Sequence, residues 1–109
     1  MNRQDDYDLY HIMVDKVQAG RPCALATVVS TKGSVPRKIG AKMLVDPGQG
    51  LVGTVGGGCG EGEVIKVALE VLNTGKPRIV RIDLTEDLLS LSPAVCGGIM
   101  EIFVEAIST

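Results

Sequence analysis

Apolar side chains follow two kinds of spacing along the chain, and these predict helices and strands respectively. Two stretches, residues 5–19 and 60–73, carry apolar positions three and four apart, and each is followed by a glycine and then a proline. Five shorter stretches either alternate apolar and polar residues or form a continuous β-branched run. These strand-like stretches are residues 23–30, 41–45, 51–55, 77–84 and 99–107.

The order of these elements is one helix, three strands, a second helix and two strands, which predicts an α/β (mixed α+β) fold. We expect a single mixed β-sheet of about five strands with the two main helices on one face. A helical turn capped by Thr85 is predicted for residues 85–90. The last strand alternates cleanly and could be an edge strand with which a second copy of the chain pairs.

Composition and charge narrow the range of functions. The chain has 109 residues, of which 45% are hydrophobic, and a formal net charge of −2 at pH 7, without the basic face that nucleic acid requires. No apolar run approaches the ~20 residues of a membrane span, and the polar N-terminus does not resemble a secretory signal. Three cysteines cannot form a closed disulfide set. We therefore expect a single cytoplasmic domain, residues 1–109, that binds neither nucleic acid nor membrane.

A glycine pattern at Gly48, Gly50 and Gly53 matches the spacing of a dinucleotide-binding fingerprint. That fingerprint follows a strand and opens a helix, whereas here it follows an Asp-Pro turn and runs into a predicted strand. A hairpin turn is therefore the preferred interpretation.

The segment GGGCGE, residues 56–61, lies between a predicted strand and a predicted helix. The first N–H groups of a helix have no internal partner, so a phosphate or another oxyanion would fit beside Gly56, Gly57 and Gly58. A helix N-terminus also lowers the pKa of a thiol, which makes Cys59 a candidate thiolate. Glu61 either complements the helix dipole or orients a bound group. The alternative is a tight turn with an inert cysteine, and the glycine content alone favours neither.

A second glycine break, formed by Cys96, Gly97 and Gly98, precedes the last strand. In the loop after the first strand, Arg37 could bind a phosphate or a carboxylate through two parallel hydrogen bonds. Cys23 lies in an apolar strand and is expected in the core, and His11 is expected at the surface of the first helix. Neither a four-ligand zinc set nor a catalytic triad can be assembled, so no metal site and no catalytic residue are predicted.

Three segments in the same order resemble the N-terminal domain of the XdhC/CoxI family: GSVPRKIGAKM (33–43), GTVGGGCGE (53–61) and CGGIMEIF (96–103). The resemblance extends from about Leu9 to Glu105. It implies an accessory protein, or chaperone, of molybdenum hydroxylases of the xanthine dehydrogenase or carbon monoxide dehydrogenase type. Such a protein binds molybdenum cofactor transiently, assists its sulfuration and inserts it into the apo-enzyme, and is a maturation factor rather than an enzyme.

The resemblance also implies partners and a site. An apo molybdenum hydroxylase and a cysteine desulfurase are the implied partners, and a homo-oligomer is expected. The Rossmann-type domain of many relatives is expected either to be absent or to be supplied by a separate polypeptide. The glycine amides would take the phosphate or the molybdenum oxo groups, Arg37 would neutralise charge, and Cys59 or Cys96 would ligate molybdenum or hold sulfur. The predicted cofactor-binding residues are Ser34, Arg37, Gly56, Gly57, Gly58, Cys59, Glu61, Cys96, Gly97 and Gly98.

Two alternatives belong to other functional classes. One is a small cysteine-dependent redox protein, which needs a thiol of low pKa. The other is an oligomeric structural or interaction module, which would bury an apolar face against a copy of itself.

Overall fold

The computed structural model of the chain describes residues 3–35, 37–48, 50–53, 60–84 and 97–108. The order of elements is the one that the sequence predicts, and each predicted bound that falls within these ranges lies within two residues of the observed one. The helical turn predicted for residues 85–90 lies outside the described residues. The elements are α1 (Arg3–Gln18), β1 (Cys23–Lys32), β2 (Lys42–Asp46), β3 (Gly50–Gly53), α2 (Glu61–Thr74), β4 (Arg78–Asp83) and β5 (Ile99–Ile107).

The described strands form one sheet of five, in the order β3-β2-β1-β5-β4, which confirms the predicted fold class. Every neighbouring pair in this sheet is antiparallel, so the expected mixture of strand directions is not observed. A parallel pair needs a crossover connection between adjacent strands. The helical connection through α2 joins β3 to β4, which lie at opposite edges of the sheet and never pair.

The hairpin between β2 and β3 confirms the preferred interpretation of the three spaced glycines. Asp46 pairs with Gly50 and Met43 pairs with Gly53, so the two strands are joined by a short turn. The pattern runs into β3 instead of opening a helix, and it therefore lacks the context of a dinucleotide site.

The predicted position of the last strand is wrong, because β5 lies in the interior of the sheet between β1 and β4. It pairs along nearly its whole length with β1, from Cys23 opposite Ile107 to Lys32 opposite Ile99. Alternation shows that one face of a strand is buried, but it does not reveal whether both backbone edges are paired. The two edge strands of the described sheet are β3 and β4.

The two helices pack on opposite faces of the sheet, which corrects the expectation that they share one. Ala24, Ala26 and Val28 belong to the core cluster under α2, whereas Cys23 and Leu25 belong to the cluster under α1. The continuous apolar run of β1 follows from this arrangement, because a strand covered on both faces has no polar side.

The larger core lies between α2 and the sheet and is built from aliphatic side chains. α2 contributes four buried residues at helical spacing, and its partners on the central strands are completely buried. Fully burying side chains of this size contributes roughly 1.5–3 kcal/mol each relative to exposure. The helix residues are Val64, Val67, Ala68 and Val71, and the fully buried partners on β5 are Met100, Ile102 and Val104.

A buried carboxylate joins α1 to the turn between β2 and β3. Asp46 is only 3% exposed. Its Oδ2 accepts from Lys16 Nζ at 2.8 Å, and its Oδ1 accepts from the backbone N–H of Gly48 at 2.8 Å. Arg21 donates to both oxygens, at 3.1 and 3.2 Å. The Arg21 and Lys16 hydrogen bonds hold the pKa of Asp46 well below its usual range.

Neither helix in the described parts of the chain has the length and apolar composition needed to cross a membrane.

Candidate functional site

One flank of each glycine segment lies at the same end of the sheet, which we call the glycine end. Here β1 ends at Lys32, opposite Ile99 at the start of β5, and Ile99 in turn lies opposite Asp83 at the end of β4. β3 runs toward the same end but stops short of it, because Gly53 pairs with Met43, which lies opposite Ala26. The alternating directions of antiparallel strands therefore bring together segments that are far apart in sequence.

The start of α2 lies close to β4 at the glycine end, because Gly60 has no side chain. This residue precedes the helix with φ +78°, and a Cβ atom placed on it would lie 2.7 Å from Cγ2 of Ile82. Both the left-handed backbone and the contact with β4 therefore require glycine here. Glu61 and Glu63 occupy the first turn, where carboxylates favour the positive end of the helix dipole.

Replacing Gly60 tests this packing, and Gly75 is its matched control. Gly75 follows α2 with φ +75°, but a Cβ there would meet no described atom within 4 Å. We expect Gly75→Ala to cost about 1 kcal/mol from its backbone alone. Gly60→Ala should cost ~2 kcal/mol or more, because the methyl group also meets Ile82. Urea unfolding followed by circular dichroism measures both, and equal losses would contradict the proposed contact.

The loop after β1 crosses the segment before β5 at very short range. The N–H of Gly97 donates to the carbonyl of Ser34 at 3.0 Å. A Cβ placed on Gly98 would lie 2.4 Å from the carbonyl oxygen of Lys32 and 2.8 Å from that of Ser34. The N–H of Leu84 also donates to the carbonyl of Gly98, at 2.9 Å. Gly98 is therefore a crossing point at which three segments of backbone meet.

Gly97 and Gly98, two neighbouring residues of the predicted site, have different roles at this crossing. Gly98 is buried and serves the fold, whereas Gly97 is exposed and has no described atom within 4 Å of a placed Cβ. The Gly97 N–H is already bonded to Ser34, so it is occupied within the protein. Gly97 could therefore offer its N–H to a ligand only by giving up this hydrogen bond.

Arg37 lies in the loop that leaves β1 at the glycine end. Its side chain is half-buried, and its Nε atom is shielded from solvent. The end of this loop is fixed to β1, since the N–H of Gly40 donates to the carbonyl of Val28 and the N–H of Val28 donates to the carbonyl of Ala41. Lys42 donates to the Gly40 carbonyl at 2.8 Å. The loop therefore holds a guanidinium on a backbone that is anchored at both ends.

The predicted site residues divide into two groups. The structure describes five of them, and all five lie in segments that meet or start at the glycine end: Ser34, Arg37, Glu61, Gly97 and Gly98. Ser34, Arg37 and Glu61 each take part in at least one further polar or electrostatic interaction. The other five lie outside the described residues: Gly56, Gly57, Gly58, Cys59 and Cys96.

Cys23 does not have the properties of a reactive thiol. It is fully buried beneath α1, as expected from its apolar strand. Burial raises the pKa of the Cys23 thiol, and the nearby Asp46 carboxylate raises it further. A redox function based on a low-pKa thiolate therefore receives no support from this cysteine. Within the described ranges, no three histidine, cysteine or acidic side chains lie close enough to hold a metal ion together.

A surface cavity on α1 was not predicted from the sequence. It has a volume of about 400 Å³, and the residues of α1 that line it include Tyr10, His11 and Val14. Tyr10 and Val14 are exposed apolar residues four apart, and Lys42 Nζ lies 5.8 Å from the centre of the Tyr10 ring. The spacing of Tyr10 and Val14, four residues apart on one helix, is the signal in the sequence for such a surface.

Residues 17–83, more than half of the chain, match the profile of the XdhC and CoxI family. Two curated proteins of Escherichia coli (strain K12) are similar to the chain. The uncharacterized protein YqeB is 37% identical over 83 residues, which cover 76% of this chain and 15% of YqeB. The molybdenum cofactor insertion chaperone PaoD is 31% identical over 77 residues, which cover 71% of this chain and 24% of PaoD.

A solved structure gives the same result at the level of the fold. The crystal structure of a protein described as a xanthine dehydrogenase from Bacillus halodurans superimposes with a TM-score of 0.74 and 31% sequence identity. The match covers 90% of this chain and 30% of that one. The chain thus spans less than a third of the length of each of these three relatives.

Proposed function

Because the chain belongs to the XdhC and CoxI family, we propose that it is a maturation factor that binds molybdenum cofactor and assists its insertion into a molybdenum hydroxylase. The observation that carries this proposal is the similarity to a relative named as a molybdenum cofactor insertion chaperone. The family match also spans residues 33–43 and 53–61, two of the three segments on which the predicted site depends.

The chemistry of the glycine end supports an anionic cargo of this kind. Molybdenum cofactor combines a flat pterin with a dithiolene and a phosphate, so a site for it needs cationic groups and close backbone approach. Arg37 supplies a guanidinium, and the N-terminus of α2 supplies partial positive charge. We assign Arg37 to charge neutralisation and the amides of Gly56, Gly57 and Gly58 to the phosphate or oxo groups.

We also propose that a cysteine of this site handles sulfur. Cys59 or Cys96 would ligate molybdenum or hold the sulfur that a cysteine desulfurase supplies, because soft thiolates suit both roles. The recipient would be an apo molybdenum hydroxylase of the xanthine dehydrogenase or carbon monoxide dehydrogenase type. We place this process in the cytoplasm and propose a homo-oligomer and a separate Rossmann-type protein as further partners.

Molybdenum retention tests the proposal directly. The chain is purified without oxygen after co-expression with the enzymes of cofactor synthesis, and bound molybdenum is measured by elemental mass spectrometry. We expect the native chain to carry molybdenum. Arg37→Ala and Cys59→Ala should lower retention roughly tenfold, the effect of losing one charged contact.

Two control variants make the result specific to the site. Lys38→Ala removes the adjacent exposed cation of the same loop, and Cys23→Ala removes the buried thiol. Both should retain molybdenum like the native chain as long as they fold. Full retention in Arg37→Ala and Cys59→Ala would refute the site assignment, whereas an absence of molybdenum from the native chain would refute the proposed function.

A further inference from the structure

β4 is the edge strand of the described sheet whose open side is better suited to pairing with another strand. It has six residues and pairs with β5 on one side. The other edge strand, β3, has four residues and begins and ends with glycine, and such short edge strands resist pairing with other chains. An added strand would therefore extend the described sheet most readily at β4.

Alternate residues of β4 direct their backbone groups away from β5. The N–H of Leu84 donates to the carbonyl of Gly98, and these two residues continue the β4–β5 register by one pair. In an antiparallel ladder such hydrogen-bonded pairs recur at every second residue, so the even-numbered residues of β4 bond to β5. The odd-numbered residues point their N–H and C=O groups to the open edge, and they are Ile79, Arg81 and Asp83.

The side chains of these odd-numbered residues lie on a face that the described helices leave partly open. α2 packs on the opposite face, against Val80 and Ile82. The buried strand residues under α1 belong to β1 and β2. Ile79 is 58% exposed, and Arg81 is also exposed. A strand placed beside β4 could therefore reach these side chains as well as the backbone.

Charge selects one register for two copies of β4. A two-fold axis perpendicular to the sheet keeps each face on its own side, so a residue can pair only with one on the same face. With the axis at Ile82, Arg81 of each copy lies opposite Asp83 of the other, with their Cβ atoms about 5 Å apart. With the axis at Arg81, two arginines would face each other, which is destabilising. With the axis at Val80, Arg81 would face Ile79, so only the axis at Ile82 pairs opposite charges within β4.

We propose that two copies of the chain pair through their β4 strands about a two-fold axis at Ile82, which joins their two five-stranded sheets into one. Each pair of Arg81 and Asp83 exchanges two N–H···O=C bonds and adds an ion pair. Asp83 already takes part in an interaction within its own chain, but a carboxylate has about four lone-pair sites and accepts from a second donor. This inference rests on the homo-oligomer proposed above and is independent of cofactor binding.

Exchanging the two charges tests the register. Six-residue strands form a small interface, so we expect a micromolar dissociation constant, measured by sedimentation equilibrium from about 1 to 500 μM. Arg81→Asp and Asp83→Arg should each weaken self-association roughly tenfold or more, because like charges then face each other. The double variant Arg81→Asp/Asp83→Arg has the native composition and net charge. It should restore the dissociation constant to within about threefold of the native value.

Two further variants separate this interface from general effects of charge and folding. Lys66→Glu changes the net charge as much as Arg81→Asp does, but on the exposed side of α2, and should associate like the native chain. Arg81→Pro removes an N–H that points to the open edge, so β4 can still pair with β5. This variant should be monomeric over the same range. Because Arg81 also lies opposite Glu101 within the chain, circular dichroism checks that each variant is folded.

The outcomes separate this inference from the proposed function. A native chain that stays monomeric overturns the inference and leaves the open edge to a strand of a different protein. Association that persists in Arg81→Pro, or that the charge exchange does not restore, shows that another surface or register joins the copies and also overturns it. A monomeric chain that retains molybdenum refutes the proposed pairing and homo-oligomer only, whereas a paired chain without molybdenum refutes the maturation function only.

Discussion

Gly98→Ala is expected to destabilise the protein by about 3 kcal/mol or more, whereas Gly97→Ala should change its stability by less than ~0.5 kcal/mol. A methyl group on Gly98 would lie 2.4 Å from the carbonyl oxygen of Lys32, 2.7 Å from Cγ1 of Val35 and 2.8 Å from the carbonyl oxygen of Ser34. Two of these three atoms belong to the backbone, so the loop and β5 would have to move apart.

The expected loss corresponds to a melting temperature lowered by roughly 15 °C. Because the chain contains no tryptophan, far-ultraviolet circular dichroism is the suitable probe, with urea unfolding as the second measurement. The adjacent Gly97→Ala variant is a matched control, since it adds the same methyl group where no described atom lies within 4 Å.

A double variant distinguishes the backbone contacts from the side-chain contact. Val35→Ala removes the Cγ1 atom near Gly98 but leaves the carbonyl oxygens of Lys32 and Ser34 in place. Gly98→Ala should therefore remain strongly destabilising in a Val35→Ala background. Full recovery of stability in the double variant would show that the close backbone crossing is not the cause.

Asp46→Ala is expected to lower the melting temperature on the order of 10–15 °C, because it removes the acceptor that joins α1 to the β2–β3 turn. Lys16, whose side chain is only 12% exposed, would lose its ion pair with Asp46. Arg21 is 39% exposed and can be solvated in the variant, which limits the loss. The control is Glu70→Gln, which breaks the exposed ion pair with Arg78 and should change stability by only a few tenths of a kcal/mol.

The same carboxylate gives a stability that depends on pH. The hydrogen bonds from Arg21 and Lys16 lower the pKa of Asp46 in the folded state, so the unfolded state binds its proton first as the solution is acidified. The contribution of Asp46 is therefore complete above about pH 5 and is lost progressively as the pH falls below about 4.

Urea unfolding across this range, on the native chain and on Asp46→Asn, measures that contribution. We expect the native chain to lose stability more steeply on acidification than the variant, so that the difference between them narrows. A difference that stays constant down to about pH 2 would contradict the assigned role of Asp46.

Much of the local structure could be predicted from the sequence, and particular residues show why. The apolar residues of α2 recur at helical spacing, and Gly75 and Pro77 mark the end of the helix. The Asp-Pro-Gly turn identified a hairpin where the glycine spacing alone resembled a nucleotide fingerprint. These signals act over a few residues, so they can be interpreted without knowing where the rest of the chain lies.

The candidate site could be predicted only as a set of separate segments. The glycine, cysteine and arginine residues identified the loops. They did not show that Gly97 is bonded to Ser34 or that Gly98 touches Lys32. The sequence also does not show that Gly60 is crowded and Gly62 is open, because both glycines lie at the start of the same helix. Such differences depend on atoms from distant segments.

Local patterns were sufficient to predict which residues form helices and strands, the aliphatic composition of the core and the burial of Cys23, because periodicity and turn chemistry are properties of neighbouring residues. Contacts between distant segments set three further features: α1 and α2 lie on opposite faces, β5 is an interior strand, and three segments cross at Gly98. The pairing of β1 with β5 joins residues more than sixty positions apart, from Lys32 opposite Ile99 to Cys23 opposite Ile107. That pairing follows from the packing of the whole chain, and no local pattern specifies it.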